Sequence, residues 1–251
     1  MRVGALIEVH GLLLNLLPTS RYRGIDFAEL KVSMVNSDAL AVMRDVMVDS
    51  QVRPNEVNDL RVSESMRMVP REAFAPSGVL AYADEDLALG HGRFMLRPMV
   101  VARLAQLALE KNPRHALVIG AGSGYLAALL GMTGVDVVAV EEEARLTNEA
   151  LNIYAPKVQA VSGTLTAGWR AGGTYDVIII EGAVLEIPLA LKEQLAPGGR
   201  IVTVLADDAT PYAVGRAVVA EPVDTGYAYL KVFDCTARLL PQFMPAPAFH
   251  F

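Results

Sequence analysis

The segment LVIGAGSGYLAALL, residues 117–130, constrains this chain more than any other. A short apolar run, His115–Ile119, passes within a few residues into a helical run, Tyr125–Met132, and the corner between them carries Gly120, Gly122 and Gly124. A buried strand that turns through glycines into a helix is the opening unit of a parallel α/β sheet. Positions without side chains at that corner let a ligand lie against the backbone, with helix amides toward its polar end. The next strand-like run, Val135–Val140, ends in Glu141. A carboxylate at that strand end, about twenty residues past the loop, accepts both ribose hydroxyls of an adenosine-bearing cofactor.

Which cofactor is left open by the loop alone. Gly122, Gly124 and Ala127 also match the dinucleotide spacing GxGxxG/A. Against a nicotinamide cofactor, the loop starts late in the chain after a helical region, and the acid stands in a run of three glutamates, 141–143.

The rhythm of strand, helix, strand continues beyond the loop. Glu142–Ile153 reads as a helix, Val158–Val161 and Tyr175–Ile180 as strands, and Leu189–Leu195 as helical. Pro197–Gly198–Gly199 reads as a turn and Arg200–Leu205 as a strand, with two more strand-like runs at Ala213–Ala220 and Ala228–Phe233. Continuous apolar strands alternating with helices predict a doubly wound, mostly parallel sheet covered on both faces. The short turn between the last two runs predicts an antiparallel edge. Ahead of the loop, Asp38–Val48, Asn58–Val69 and the stretch opened by Pro98 have helical apolar spacing, whereas Arg71–Gly90 is irregular and reads as mostly loop. The expected organisation is an extension over 1–33, a helical and substrate-site region over 34–112, a cofactor domain over 113–238 and a proline-broken tail over 239–251.

Composition narrows the function. With 53% hydrophobic residues and 20% charged, the chain is not a disordered one. A net charge of -6 argues against nucleic acid as a partner. One cysteine, Cys235, excludes an internal disulfide, and four scattered histidines without HxxxH or HExxH spacing predict no metal site. No apolar run reaches the roughly 18–20 residues of a membrane span. Glu8 and His10 interrupt the faintly signal-like start, and Met34 reads more like a native beginning, so a cytoplasmic enzyme is expected.

Several further stretches carry a specific likeness. MVDSQVRPNEVNDLRVSESMRMVPREAF resembles the N-terminal region of protein-L-isoaspartate O-methyltransferases, a family with Q-(I/L)-x…R-V…A-M…V-P-R-x-x-F. LGHGRFMLRPMVVARL is similar to that family's substrate segment GxxxTISxPxMxA, VIGAGSGYLAALL to its cofactor loop IGxGSGYxxA, and LAPGGRIV to its later LxxGGRxV. The block Gln51–Phe74 makes the likeness specific, because the other motifs occur in many methyltransferases. The resemblance implies a class I methyltransferase fold, S-adenosylmethionine as cofactor and a methyl group passed to a carboxylate on a protein or peptide. It implies a cofactor site at Gly120, Ala121, Gly122, Gly124, Tyr125 and Glu141, with Ser162 and Gly163 at the family's GDG turn.

The departures are as informative. Aligned on Pro98, the chain has Phe94, Met95 and Leu96 where the family has Thr, Ile and Ser, and the serine is the group that holds the substrate. Ser162 replaces the acid of the GDG turn, and Glu181 stands where small or hydroxyl residues follow the fourth strand. The substrate-site candidates are therefore Met95, Leu96, Arg97 and Glu181, with Arg93 or Arg97 able to grip a carboxylate bidentately. A diverged methyltransferase with another acceptor, or a cofactor-binding module without turnover, are the alternative readings. A carboxylate is already an adequate nucleophile, which explains why no Ser/His/Asp or Cys/His set is needed.

Overall fold

The structure is a computed structural model that describes residues 38–143, 149–210 and 214–244. The chain separates into Met1–Leu40 and Ala41–Phe251, and the second unit is the one described below. The expectations for residues 1–33 and for the end of the tail lie outside the described residues.

The strands β3 (His115–Ile119), β4 (Asp136–Glu141), β5 (Gln159–Ser162), β6 (Tyr175–Val184), β7 (Leu195–Ala206), β8 (Val214–Val223) and β9 (Gly226–Thr236) form one sheet of order β5-β4-β3-β6-β7-β8-β9. The first five are parallel, and β8 is antiparallel to both β7 and β9, as the sequence predicts. Side chains alternate across the sheet. In β3, Ala116 and Val118 enter one core with the helices of the first half of the chain, while Leu117 and Ile119 enter a second core on the other face. That is why the strands read as unbroken apolar runs. The chain leaves β3 toward β4 and β5 on one side and returns to β6 on the other, so a crevice opens at the carboxyl ends of β3, β4 and β6.

The helices stand close to their expected places. α1 covers 38–47 and widens into a π-turn, Val48–Val52. α2 is Leu60–Met68, α4 is Pro98–Leu109 with proline in its first turn, α5 is Tyr125–Met132 and α6 is Glu149–Tyr154. The helical run at 189 is a 3-10 segment, Leu189–Gln194, and the PGG turn is absorbed into an irregular start of β7.

Arg71–Gly90 is mostly loop, as expected, with two short regular elements inside it. It holds a one-turn helix α3 (Arg71–Phe74) and a strand β1 (Leu87–Gly90), which pairs antiparallel with β2 (Arg93–Met95). Neither element is long enough to show periodicity, and both are held by distant partners. The fully buried Arg71 guanidinium donates to Ala81 O at 2.8 Å and Leu96 O at 2.8 Å, and lies 5.2 Å from the Tyr125 ring. Gln51 Nε2 donates to Tyr82 O at 2.9 Å, and Phe74 packs on Tyr125 with ring centroids 5.6 Å apart. Three residues of the Gln51–Phe74 block thus clamp the 81–96 segment onto α5.

Arg71→Leu strands two buried carbonyls without donors. It is expected to lower unfolding stability by about 2–4 kcal/mol, read from urea denaturation. A loss under about 0.5 kcal/mol would mean that the clamp is dispensable.

Candidate active site

Three strand ends converge at the crevice. β3 delivers the glycine corner, with Gly120 and Gly122 at φ +75° and +53°. β4 delivers Glu141, 1% exposed, and β6 delivers Glu181, 4% exposed. Glu181 sits where β6 bulges against β7, and the Thr203 hydroxyl donates toward the carbonyls of Ile180 and Gly182 on either side at 3.2 Å. Such a bulge re-aims a side chain at a sheet edge.

Glu141 organises the corner. Its Oε2 accepts from Gly122 N at 2.7 Å, and its Oε1 accepts from Glu142 N at 3.0 Å and Glu143 N at 3.3 Å. Oε2 also accepts from Arg93 Nη2 at 2.9 Å and Nε at 3.3 Å. Arg93, 2% exposed, reaches in from β2. The loop amides are occupied within the protein: Gly120 N and Ala121 N donate to Val140 O, and Gly124 N to Ala121 O. The corner therefore offers a bare backbone surface more than a row of open donors.

That surface is covered by side chains. A Cβ on Gly120 would come within 2.6 Å of Arg93 Nη2, and one on Gly122 within 2.8 Å of Leu89 Cδ1 from β1. Leu240, anchored by its amide to Ala183 O at 2.9 Å, stands 3.5 Å from the same Gly120 position.

The other sequence-derived candidates divide into two groups. Ser162 lies beside Glu141 in the β4–β5 register, and Gly163 N donates to Glu141 O at 3.3 Å. Close by, Glu142 Oε1 accepts from Leu165 N at 3.0 Å. Tyr125, in contrast, turns its ring to Phe74 and Arg71, and its hydroxyl is buried without a partner. Burial raises that hydroxyl to about 12. Met95 and Leu96 are buried, and Leu96 offers its carbonyl to Arg71. Arg97 is held by Asp86, which accepts from its backbone N at 2.8 Å and its Nε at 3.4 Å.

Sequence reasoning weighed Arg93 only as a grip for a substrate carboxylate, and did not foresee its pairing with Glu141 or the cover from Leu89 and Leu240.

Glu181 is the most perturbed acid at the crevice. Burial pushes its carboxyl up to about 8, Arg93 pulls it down, Glu141 raises it and Arg71 lowers it. Its Oε2 has no hydrogen-bond partner.

A family model described as protein-L-isoaspartate(D-aspartate) O-methyltransferase matches residues 44–213, from the last turn of α1 through the β1–β2 hairpin and the glycine corner to β7. The chain belongs to that family. It is 36% identical over 179 residues to protein-L-isoaspartate O-methyltransferase 1 of Rhodopseudomonas palustris, covering 69% of this chain and 73% of that one. With the protein-L-isoaspartate O-methyltransferase of Methylorubrum extorquens it shares 40% over 168 residues, covering 64% and 73%. In fold it resembles a protein-L-isoaspartate O-methyltransferase of Plasmodium falciparum solved with S-adenosyl-L-homocysteine. There the TM-score is 0.64 at 18% identity, over 79% of this chain and 98% of that one. Family membership accounts for the Gln51–Phe74 block, and the structure supplies its reason in the Arg71 clamp.

Two outcomes follow from the burial of these acids. Glu141→Ala leaves the Arg93 guanidinium buried and unpaired and is expected to cost about 3–5 kcal/mol in urea unfolding. Arg93→Ala is expected to cost less, because Glu141 keeps its backbone donors. Equal losses would contradict this reading.

The second outcome concerns pH. An acid whose folded pKa is raised favours folding at low pH and loses that advantage as pH rises. For Glu181 the loss runs from its ordinary value of 4.5 to about 8. Wild-type stability is therefore expected to fall across that window more steeply than that of Glu181→Gln. Parallel pH profiles would show that Glu181 is not held protonated.

Proposed function

We propose that this family member binds S-adenosylmethionine at the Glu141–glycine corner and methylates the carboxylate of L-isoaspartyl residues in proteins. The observation that carries the reading is the carboxylate of Glu141 at the end of β4, hydrogen-bonded to Gly122 N at 2.7 Å, inside the span matched by the family model. An acid beside a bare-backbone corner at the switch point of an open sheet suits a nucleoside. The two glycines whose missing Cβ atoms leave room only for a movable side chain support the same assignment.

The cofactor, when bound, supplies an electrophilic methyl group on a sulfonium. The chain's own work is to bind and orient. Glu141 would hold the ribose hydroxyls, Gly120 and Gly122 would let the nucleoside rest on the backbone, and Ser162, Gly163 and Glu142 would border its base. A carboxylate nucleophile needs no proton removed, so the site requires orientation and exclusion of water more than a general base. Met95 and Leu96 would give the acceptor side an apolar wall in place of the serine of the resembling segment. The substrate's backbone would then carry most of the polar recognition.

The test is transfer of a radiolabelled methyl group from S-adenosylmethionine to an isoaspartyl peptide and to its aspartyl twin. Base-labile label on the isoaspartyl peptide alone is the expected result. Leu96→Ser is expected to raise kcat/KM by about tenfold, the worth of one hydrogen bond to a charged group. Cofactor binding with no label on either peptide would sink the isoaspartyl assignment.

A further inference from the structure

Glu141 has no spare capacity for a ribose as it stands. Five donors converge on its two oxygens: the amides of Gly122, Glu142 and Glu143, and two nitrogens of Arg93. The three amides and the two Arg93 nitrogens differ sharply in freedom. The three amides belong to the corner and to β4's own continuation, whereas Arg93 enters on a long side chain from a two-stranded hairpin. Its Nη2 also occupies the bare surface above Gly120. One group thus stands both on the ribose acid and on the space beside it.

We infer that Arg93 is an internal stand-in for the nucleoside: its guanidinium holds Glu141 in the free protein, the ribose displaces it, and the displaced guanidinium passes to Glu181. The inference rests on the cofactor reading proposed above.

A guanidinium released inside the crevice needs another anion, because a buried unpaired charge is costly. Glu181 is a buried carboxylate with an unpartnered Oε2, and Arg93 itself carries an unpartnered buried Nη1. A single movement of Arg93 would satisfy both. The charged groups facing Glu181 are Arg93 from β2, Glu141 from β4 and Arg71 from α3. Arg71 also keeps an unpartnered Nη1, but its Nε and Nη2 are anchored to Ala81 O and Leu96 O, whereas Arg93 is held by side-chain contacts alone and is the cation able to change partner. In the free protein Glu181 is largely protonated near neutrality, since burial raises it to about 8. Arrival of the guanidinium favours the carboxylate, so the proton leaves to solvent as the cofactor binds.

The hairpin gives this exchange a consequence for the acceptor. Arg93 begins the strand that ends at Met95, and Leu96 follows it. Shifting Arg93 loads the same strand that forms the apolar wall, so nucleoside binding would set the position of the acceptor segment.

Calorimetry with S-adenosylhomocysteine at pH 7, in buffers of different ionisation enthalpy, tests this on the full chain. Wild type is expected to release about one proton on binding. Arg93→Ala and Arg93→Lys are expected to bind up to about tenfold tighter and to release almost none, since the competitor is gone or has lost its fork. Glu181→Gln is expected to bind several-fold more weakly, and that penalty is expected to vanish in the Arg93→Ala background. Circular dichroism establishes that each variant is folded, and Arg93→Lys carries the test should Arg93→Ala not fold. Folded Arg93 variants that bind no tighter than wild type, or wild-type binding without proton release, would overturn the exchange while leaving the cofactor reading intact. Absence of binding by wild type and every variant would overturn the cofactor reading, and this inference with it.

Discussion

A carboxylate buried at the end of a parallel strand must be compensated on every side, and in this protein Glu141 ties three separate pieces of chain together for that reason. It bonds to the glycine corner after β3, to the amides of its own following residues and to Arg93 from the β1–β2 hairpin. Desolvation makes the arrangement demanding. Two charges removed from water are tolerated only when their remaining hydrogen bonds are met, and the loss of one partner costs more than the pair contributes. The hairpin, whose Leu87 and Met95 are buried in the core, is thus held over the crevice by an ionic contact as well as by apolar packing.

The same low dielectric surroundings explain why Glu181 behaves differently from Glu141 although the two acids share one crevice. Glu141 is met by backbone amides and a guanidinium, whereas Glu181 lies in a bulge of β6 with an unpartnered oxygen and is driven toward its neutral form by burial. A buried acid whose carboxyl is pushed up in a cleft is a recurrent feature of functional sites. Arg71 sits on the other side of the same cluster but is spent on the carbonyls of Ala81 and Leu96, so its role is to hold the substrate-side segment in place.

Much of the fold was legible in the sequence, and the reasons are local. His115–Ile119 and Tyr125–Met132 are found at their expected bounds because a fully buried strand and an apolar helix each carry their own period. The antiparallel edge of β8 and β9 followed from a connection too short for a crossover. Arg71–Gly90 is mostly loop as expected, but its two short elements, α3 and β1, were not legible: each is four residues long and is held by partners outside it, α3 through Arg71 to Ala81 O and Leu96 O and β1 through its pairing with β2. At the site, Glu141 and the glycines were readable from spacing. The bonding of Asp86 to Arg97 was not, since it depends on how the segment folds back.

The sequence by itself determined the alternation of buried strands and helices, the bare corner at Gly120 and Gly122, the acid at 141 and the family likeness of the Gln51–Phe74 block. These are properties of short stretches, set by side-chain period and backbone freedom. Only the tertiary structure decided that Arg93 is the partner of Glu141, that Leu89 and Leu240 cover the corner, and that Glu181 is left without a donor. Arg93 and Glu141 are 48 residues apart. Which charge meets which is settled by how the hairpin closes over the crevice, where loss of solvent makes an unpaired charge too costly.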